Sequence, residues 1–286
     1  MPTVYTAIAT PLNAHGTFDP VAMSRLITHL HAAGVDGIVP CGTTGEGPSF
    51  SVTERLAIIK HCVAQRAGRG VIAGTGCQSL SDTITLSAAA FAAGVDACLV
   101  LPPFFFKQAG EQGVLAWYRA LCDALPMNSK LILYHIPPMT GVPITRSIID
   151  GLLSSHPSYV AGIKDSGVDA AHTAMLTARY PQLAIYTGNA PLLAQAIRDG
   201  ASGSILAIAN IVAPSVRILT DDPAREDAQV YLAAVDGYVR KVGAVATIKA
   251  ILGQSGIPVG NPLAPQLAHP DAQAAYRDFC AFAVPS

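Results

Sequence analysis

A repeated junction constrains the fold of this chain more than any other feature of its sequence. Ala33-Gly34-Val35-Asp36 and Ala93-Gly94-Val95-Asp96 each join a helical pattern to a short apolar run, and Asp199-Gly200-Ala201 occupies a third such place. Glycine suits the left-handed conformation that ends a helix, so each junction predicts a helix that turns directly into a strand. The chain therefore uses the same helix–strand unit repeatedly.

Eight short runs rich in β-branched and apolar residues alternate with helical patterns as far as Ile208. An alternation of this kind predicts a parallel sheet, and eight units close a (β/α)8 TIM barrel of the α/β class. The predicted strands are Val4–Ala9, Gly37–Cys41, Val71–Ala73, Ala97–Leu101, Leu131–Ile136, Val160–Lys164, Ala184–Thr187 and Gly203–Ile208. The helical patterns between them include Val21–Ala33, Thr53–Arg66, Ser81–Ala93, Glu111–Ala124 and Ala190–Asp199.

Beyond Ile208 only helical patterns follow, at Ala224–Val242, Val245–Ser255 and His269–Ala283. We therefore expect two regions: residues 1–222 as the barrel that carries the active site, and residues 223–286 as a C-terminal helical extension packed on it. A doubly wound sheet is the alternative architecture. The absence of a GxGxxG motif after a first strand counts against a dinucleotide-binding fold.

The composition limits the partners of the chain. Of its 286 residues 51% are hydrophobic and 13% charged, with a formal net charge of −1, which indicates a homo-oligomer whose subunits cover part of the surface, and neither nucleic-acid nor membrane binding. The N-terminus lacks the pattern of a signal peptide, and the six cysteines show no CxxC spacing. We expect a cytoplasmic protein. The eight histidines show no metal-ligand spacing, so no metal is expected.

Lys164 ends the sixth predicted strand, in Val160-Ala161-Gly162-Ile163-Lys164-Asp165-Ser166. Burying a lysine amine is costly, and a lysine at a strand end commonly extends its ammonium group to solvent. The alternative is a neutral amine, because burial disfavours the charged form and a neutral amine can condense with a ketone to an imine. No other lysine in the sequence ends a predicted strand.

Gly42-Thr43-Thr44-Gly45-Glu46-Gly47 follows the second predicted strand. Its glycines allow backbone N–H groups to approach a ligand, and its threonines add hydroxyl groups. Because the Gly-Lys-Ser/Thr ending of a P-loop is absent, we favour a carboxylate ligand over a phosphate, and a plain glycine-rich turn is the alternative. Ser51 and Glu54, just beyond, form a capping box that begins a helix.

Two further strand ends carry candidate residues. Tyr134 could relay protons, or it could be a buried tyrosine with a single hydrogen bond, and His135 beside it would line the pocket. The segment after them, Pro137 to Gly141, is predicted to be a stiff loop. Gly188 allows a close backbone approach after the seventh strand, and Asn189 is expected to cap the next helix.

Three of these segments together resemble a known family. Gly42-Thr43-Thr44-Gly45-Glu46, Tyr134-His135-Ile136-Pro137 and Gly162-Ile163-Lys164-Asp165 are similar, in order and spacing, to the signatures of the dihydrodipicolinate synthase and N-acetylneuraminate lyase family. The resemblance extends from Thr6 to Leu263. It implies a (β/α)8 barrel with a C-terminal helical region, a tetramer of tight dimers, and class I aldolase chemistry without an added cofactor.

The resemblance also implies roles for individual residues. Lys164 would form a Schiff base with pyruvate or another 2-oxo acid, and Tyr134 would be the general acid and base. Thr43 and Thr44 would hold the pyruvate carboxylate, with Thr44 placed among the catalytic residues. Main-chain groups of Gly188 and Ile205 would line the lysine pocket.

The chain departs from the family pattern at two positions. Phe105 stands where members commonly carry a tyrosine that contributes to the neighbouring subunit's proton relay. Met139 stands in the loop where true dihydrodipicolinate synthases carry an arginine for the carboxylate of the aldehyde substrate, and a thioether cannot form a paired hydrogen bond with a carboxylate. Met139 is therefore a candidate substrate-binding residue of different chemistry, and aspartate semialdehyde is disfavoured as the second substrate.

The sequence thus predicts a Schiff-base-forming lyase or aldolase that makes or breaks a C–C bond between pyruvate, or another 2-oxo acid, and an aldehyde. A 2-keto-3-deoxy sugar acid or a related 4-hydroxy-2-oxo acid is the expected substrate class. The alternatives are dihydrodipicolinate synthase itself, a dehydratase that acts through the same imine, and a non-catalytic barrel that binds keto acids.

Overall fold

The computed structural model describes residues 1–285, so Ser286, the last residue of the expected extension, lies outside the described residues. Eight parallel strands form a closed barrel in the order of the sequence, and this confirms the predicted (β/α)8 fold. The strands are β1 (Thr3–Thr6), β2 (Gly37–Ile38), β3 (Gly70–Gly74), β4 (Ala97–Val100), β5 (Leu131–His135), β6 (Val160–Asp165), β7 (Ala184–Thr187) and β8 (Gly203–Leu206).

Helices connect the strands and then continue beyond the barrel. They are α1 (Pro20–Ala32), α2 (Val52–Ala64), α3 (Leu80–Ala93), α4 (Gly110–Ala124), α5 (Pro137–Thr140), α6 (Arg146–Ser155), α7 (Ala170–Arg179), α8 (Leu193–Arg198), α9 (Ala209–Asp221), α10 (Glu226–Val242), α11 (Ala244–Gln254) and α12 (Ala272–Cys280). Helix α10 contacts α9, and α11 contacts α9, α10 and α12. No helix within residues 1–285 is long and apolar enough to cross a membrane.

The repeated junctions have the predicted backbone. Gly34, Gly94 and Gly200 have φ values of +84°, +99° and +94°, in the region that L-residues with a side chain avoid. Each therefore ends a helix and redirects the chain into β2, β4 or β8, which confirms the interpretation of these segments.

The residues after these glycines also join neighbouring strands. The Asp36 carboxylate accepts a 2.7 Å hydrogen bond from the Val4 N–H, and the Asp96 carboxylate accepts one of 2.7 Å from the Val71 N–H. The hydroxyl oxygen of Ser202 accepts in the same way from the Ile185 N–H of β7. One recurring contact thus satisfies backbone donors at the amino ends of strands, the end opposite to the reactive groups.

Apolar side chains fill the barrel in two separate layers. The larger cluster lies between the strands and the surrounding helices. The smaller one fills the interior of the barrel and consists of Ala7, Val39, Ile72, Ala97, Leu99, Ile132, Tyr134, Ile136 and Ile205. Tyr134 is the polar member of this inner cluster, so its phenol faces the axis at the carboxyl end of β5.

Four helices of the structure are absent from the helical patterns predicted from the sequence. Residues 137–141 were expected to be a loop, and this is wrong: Pro137–Thr140 forms one helical turn, which proline tolerates at a helix start. The helix α6 carries two adjacent isoleucines, α7 carries two threonines, and α9 contains Pro214 and a kink at Val212. Each of these features weakens the helical pattern in the sequence.

Candidate active site

Tyr134 and Lys164 meet at the carboxyl ends of two adjacent strands. The register pairs Tyr134 of β5 with Lys164 of β6, so both side chains point to the same face of the sheet. The Lys164 Nζ lies 3.2 Å from the Tyr134 hydroxyl oxygen and 4.3 Å from the centroid of its ring. Both residues are buried. An amine and a phenol are therefore held within hydrogen-bonding distance inside the barrel.

The phenol of Tyr134 also contacts Thr43. The Thr43 hydroxyl lies 3.3 Å from the Tyr134 hydroxyl, across from Lys164. Burial alone would raise the pKa of Tyr134, but the positive charge of Lys164 and hydrogen bonds from Thr43, Lys164 and Ser166 outweigh it and lower the pKa. A phenol whose anion is stabilised in this way can both give and take a proton.

The turn after β2 exposes a set of backbone donors. Cys41 and Glu46, at its two ends, have φ values of +57° and +56°. Side chains on Gly45 or Gly47 would collide with the Cys41 backbone, so only glycine permits this tight a turn. Within the described chain, the N–H groups of residues 43–45 form no hydrogen bond. They are free to bind an anion.

A buried arginine lies behind this turn. Arg55 of α2 is 4% exposed and donates to the carbonyl oxygens of Gly74 and Gly76 at 2.5 and 3.1 Å. No carboxylate of residues 1–285 lies within salt-bridge distance of it. Arg55 lines a cavity of about 20 Å³ together with Thr43 and Tyr134. Its uncompensated charge makes this end of the barrel favourable for an anion.

Glu46, the last residue of the turn before Gly47, joins the turn to the C-terminal region outside the barrel. The Glu46 carboxylate forms a 2.5 Å ion pair with Lys249 of α11 and accepts a 2.6 Å hydrogen bond from the Leu263 N–H. Lys249 also donates to the Asn261 carbonyl at 3.2 Å. Both side chains are almost completely buried. The C-terminal helical region thus holds the turn that carries Thr43.

Gly188 lies against the lysine side chain, as its place after β7 suggested. A Cβ atom at this position would overlap the Ser166 hydroxyl and come within 3.2 Å of the Lys164 Cε. The Gly188 N–H donates to the Asp165 carbonyl at 2.6 Å. Ser166, which sequence analysis did not select, is therefore part of the wall around the amine.

The other candidate residues are placed less closely. Thr44 is buried, but within residues 1–285 its hydroxyl forms no hydrogen bond to Tyr134 or Lys164. Ile205 belongs to the apolar cluster around Tyr134 inside the barrel. Met139 is 69% exposed on α5. Asn189 does not cap a helix with its side chain, contrary to expectation, because its amide donates to the Gly167 carbonyl instead.

Two further features bear on what the site could hold. A cavity of about 500 Å³ lies between the loop after β1 and residues 258–263, and Thr43, Tyr134 and Lys164 are not among its lining residues. Donor atoms of His135, Asp165 and His172 lie within 4.8 Å of one another, on the opposite face of β5 and β6 from the amine. Sequence spacing could not show this second cluster, because the fold assembles it from two strands and a helix.

Comparisons with known proteins agree with this arrangement. Residues 1–276 match the model of the dihydrodipicolinate synthetase family. The chain belongs to that family. An uncharacterized DapA-like lyase of Chloroflexus aurantiacus is 45% identical over 256 residues, which cover 87% of this chain and 85% of the relative. A 4-hydroxy-tetrahydrodipicolinate synthase of Mycolicibacterium paratuberculosis is 34% identical over 274 residues, 93% of this chain and 89% of the relative.

Solved structures share the fold. The YagE protein of E. coli K12, solved in complex with pyruvate, has a TM-score of 0.89 at 25% identity, covering 99% of this chain and 98% of that one. The CdNal protein of Clostridium difficile, solved in complex with mannosamine, has a TM-score of 0.90 at 22% identity, covering 98% and 99%. Enzymes of the family form a lysine Schiff base with pyruvate and need no additional cofactor. The chain is thus a lyase or aldolase of this family.

Proposed function

We propose that this chain is a class I lyase or aldolase in which Lys164 forms the Schiff base with pyruvate or another 2-oxo acid. The observation that carries the proposal is the buried amine held 3.2 Å from the Tyr134 hydroxyl, with no carboxylate of residues 1–285 within salt-bridge distance. A carboxylate partner would hold the amine in its charged, unreactive form. Tyr134 instead offers a group that exchanges protons with it.

Imine formation follows from the groups around the amine. The neutral Nζ attacks C2 of the keto acid, the Tyr134 phenol protonates the carbinolamine oxygen, and water leaves as the C=N bond forms. The free N–H groups of residues 43–45 and the charge of Arg55 support binding of the adjacent carboxylate at this end of the barrel.

The C–C bond then breaks or forms next to the imine. In the cleavage direction, the Tyr134 phenolate takes the proton of the 4-hydroxyl group, the C3–C4 bond breaks, and an aldehyde leaves. The bond electrons pass into an enamine on Lys164. Protonation of C3 and hydrolysis of the resulting imine release pyruvate and restore the amine. The reverse sequence joins an aldehyde to pyruvate.

The remaining candidates receive supporting roles in this proposal. Thr43, whose hydroxyl contacts Tyr134, relays the proton, and Thr44 with the turn amides holds the carboxylate. Gly188 leaves room for the lysine, and Ile205 lines the apolar wall. Met139, exposed on α5, would contact the aldehyde portion, and its thioether favours a polyhydroxylated or neutral aldehyde, as in 2-keto-3-deoxy sugar acids, over one with a carboxylate.

Two alternatives rest on specific observations. Curated relatives at 34% identity are 4-hydroxy-tetrahydrodipicolinate synthases, which makes that activity the second candidate despite Met139. Phe105, 65% exposed and without a hydroxyl, favours a third reading as a keto-acid-binding barrel without turnover. Activity with pyruvate and aspartate semialdehyde would support the former, and tight pyruvate binding without an adduct the latter.

The decisive test is borohydride trapping. Wild-type protein is incubated with pyruvate, reduced, digested and analysed by mass spectrometry, and we expect a reduced pyruvyl adduct on Lys164. A panel of 2-keto-3-deoxy sugar acids is then assayed for pyruvate release. Absence of the adduct, or its appearance on another lysine, would disprove the mechanism.

We further propose a cytoplasmic homo-oligomer, a dimer or tetramer, with the chain divided at residue 222 into barrel and extension. Six free cysteines are compatible with a reducing compartment. Exposed Phe105 and Phe106, whose rings contact each other at 5.2 Å, favour coverage by another subunit. Light scattering of the purified protein measures the assembly, and a monomeric mass would contradict it.

A further inference from the structure

The residues that follow Tyr134 and Lys164 form a second cluster on the outer face of the same strands. The register pairs His135 with Asp165, one position beyond the amine and phenol. Because side chains alternate along a strand, this pair points out of the barrel towards α7. His172 of α7 stacks on His135 with ring centroids 4.4 Å apart and planes inclined by 26°. A cluster of ionisable side chains thus lies on the opposite face of β5 and β6 from Tyr134 and Lys164.

Asp165 is the centre of this cluster and is fully buried. Its carboxylate accepts hydrogen bonds from the His172 Nδ1 at 2.9 Å, the Thr173 hydroxyl at 2.8 Å and the Gly167 N–H at 2.9 Å. Burial opposes its ionisation, but the hydrogen bonds from His172 and Thr173 hold its pKa below the ordinary value. The carboxylate therefore ties the end of β6 to α7 and to the segment after the strand.

His135 completes the cluster in one defined tautomer. Its Nδ1 accepts a 3.1 Å hydrogen bond from the Ile144 N–H, which places the ring proton on Nε2. Burial is the main reason that its pKa falls to about 4. A metal ion would need the Nε2 lone pair, and the proton would then move to Nδ1 and oppose the Ile144 N–H. The arrangement favours a hydrogen-bonded unit over a metal site.

We propose that His135, Asp165 and His172 form a positioning unit that holds the carboxyl end of β6 in place and thereby fixes the reach of the Lys164 amine. The inference rests on the proposed function of Lys164. Three consecutive residues, Lys164, Asp165 and Ser166, alternate between the two faces. The Asp165 main chain also receives the Gly188 N–H, so the anchored carboxylate controls both walls of the lysine pocket.

The unit has a defined dependence on pH. Charged or titratable groups that face it are Asp165, His135 and His172 themselves and Asp169, which precedes α7. The hydrogen bond to Asp165 is the main cause that raises the pKa of His172, so its charged form persists above the ordinary value. In acid, as the pH approaches about 4, His135 acquires a proton on Nδ1 and loses its bond to Ile144.

The test uses pyruvate alone, because exchange of its methyl protons for deuterium requires the imine but no second substrate. Proton NMR in D2O measures the exchange rate at saturation and the half-saturating pyruvate concentration for full-length variants. His172→Asn keeps a donor at the Nδ1 position, whereas His172→Leu removes it. Asp165→Asn replaces the accepting carboxylate, and Asp150→Asn, at an exposed ion pair with Arg179, is the matched control.

We expect His172→Leu and Asp165→Asn to lower the saturated exchange rate about tenfold or more with less than threefold change in half-saturation. His172→Asn and Asp150→Asn should remain within about threefold of wild type. Equal rates for His172→Asn and His172→Leu would overturn the inference. Asp165→Asn can fail to fold, but His172 is partly exposed, so its two variants keep the test valid.

Amide hydrogen exchange separates this inference from the proposed function. If wild type forms no pyruvyl adduct, the proposed function fails, and the positioning unit is still tested at the amides of Gly167 and Gly188. We expect these amides to exchange about tenfold faster in His172→Leu than in His172→Asn. Unchanged protection would overturn the positioning unit whether or not the enzyme forms the imine.

Discussion

Two lysines are buried within residues 1–285, and different groups contact their amines. Lys249 lies in α11 with its ammonium group 2.5 Å from the Glu46 carboxylate and 3.2 Å from the Asn261 carbonyl. Lys164 lies in β6 with a phenol hydroxyl 3.2 Å away and, within the described residues, no salt bridge. Both are less than 5% exposed. Burial alone therefore does not distinguish the lysine of the ion pair from the lysine that we propose to form the imine.

The two lysines differ in the group that contacts the amine. A buried ion pair whose remaining donors and acceptors are satisfied keeps its charges and stiffens the elements that it joins. Burial lowers the pKa of Lys249, and the hydrogen bond and charge of Glu46 oppose that change, so this partner favours the ionised form of the helix amine. Lys164 has a phenol beside it instead, and in the proposed mechanism this phenol exchanges protons with the amine.

The two lysines nevertheless act on one turn. Glu46 ends the segment that carries Thr43, and Thr43 contacts the phenol that contacts Lys164. The Lys249–Glu46 pair thus helps to place the Thr43 hydroxyl next to the phenol that contacts Lys164. Substitutions at the two lysines test this link.

The largest expected effect comes from Lys164→Met. The thioether has no nucleophilic amine, so the borohydride-trapped pyruvyl adduct should disappear and turnover should fall by at least about 10⁴-fold. Because no ion pair is broken, the free energy of unfolding should change by less than about 1.5 kcal/mol, as for other volume-conserving replacements. Mass spectrometry and urea denaturation check the two halves. Large destabilisation would show that Lys164 has a structural partner after all.

Lys249→Met should reduce stability strongly and leave adduct formation on Lys164 intact. It leaves the Glu46 carboxylate buried without a cation, which costs about 3–5 kcal/mol of unfolding free energy. Pyruvate binding should weaken because the turn loses its fastening, while the adduct still forms on Lys164. The control is the double variant with Glu46→Gln, which removes both charges and should recover part of the stability in urea denaturation. No recovery would contradict the ion-pair explanation.

The smallest effect is on the ionisation of Tyr134. The positive charge of Lys164 and hydrogen bonds from its neighbours lower the pKa of this phenol against the effect of burial. Lys164→Met removes the charge and one donor, so the pKa of Tyr134 should rise and its phenolate should appear only at higher pH. NMR titration of ring-labelled tyrosine follows the change, with Tyr134→Phe to assign the signal. In Lys249→Met the same signal should stay near its wild-type position.

Much of the fold could be predicted because the barrel repeats its local rules. The left-handed glycines of the junctions, the order of strands and the capping box at Ser51 and Glu54 all follow from neighbouring residues in the sequence. The helix α9 could not be predicted, since Pro214 and the kink at Val212 interrupt its pattern. Packing against the barrel and the other helices stabilises it instead.

Some residues of the candidate site could likewise be predicted from the sequence, and others could not. Lys164, Tyr134 and the turn at Thr43 were selected from the sequence, because the ends of parallel strands gather at one edge. Burial of Lys249 and Arg55 could not be predicted, since a lysine or arginine in a helical pattern is ordinarily exposed. Their partners lie on other elements, and Glu46 is some 200 positions from Lys249 in the chain. Only the folded chain brings them together.

The alternation of side chains along β6 gives the strand an unusually strict requirement for alignment. Lys164 faces the axis and Asp165 faces α7. On β5, Tyr134 likewise faces the axis and His135 faces outwards. A misfolded chain in which β6 slipped by one position would present an acid to the keto acid and place an amine among the outer helices. The same slip would turn Val160 and Ile163 away from the outer core to which they belong. Correct pairing of one short strand therefore fixes both the packing of the outer core and the position of the amine.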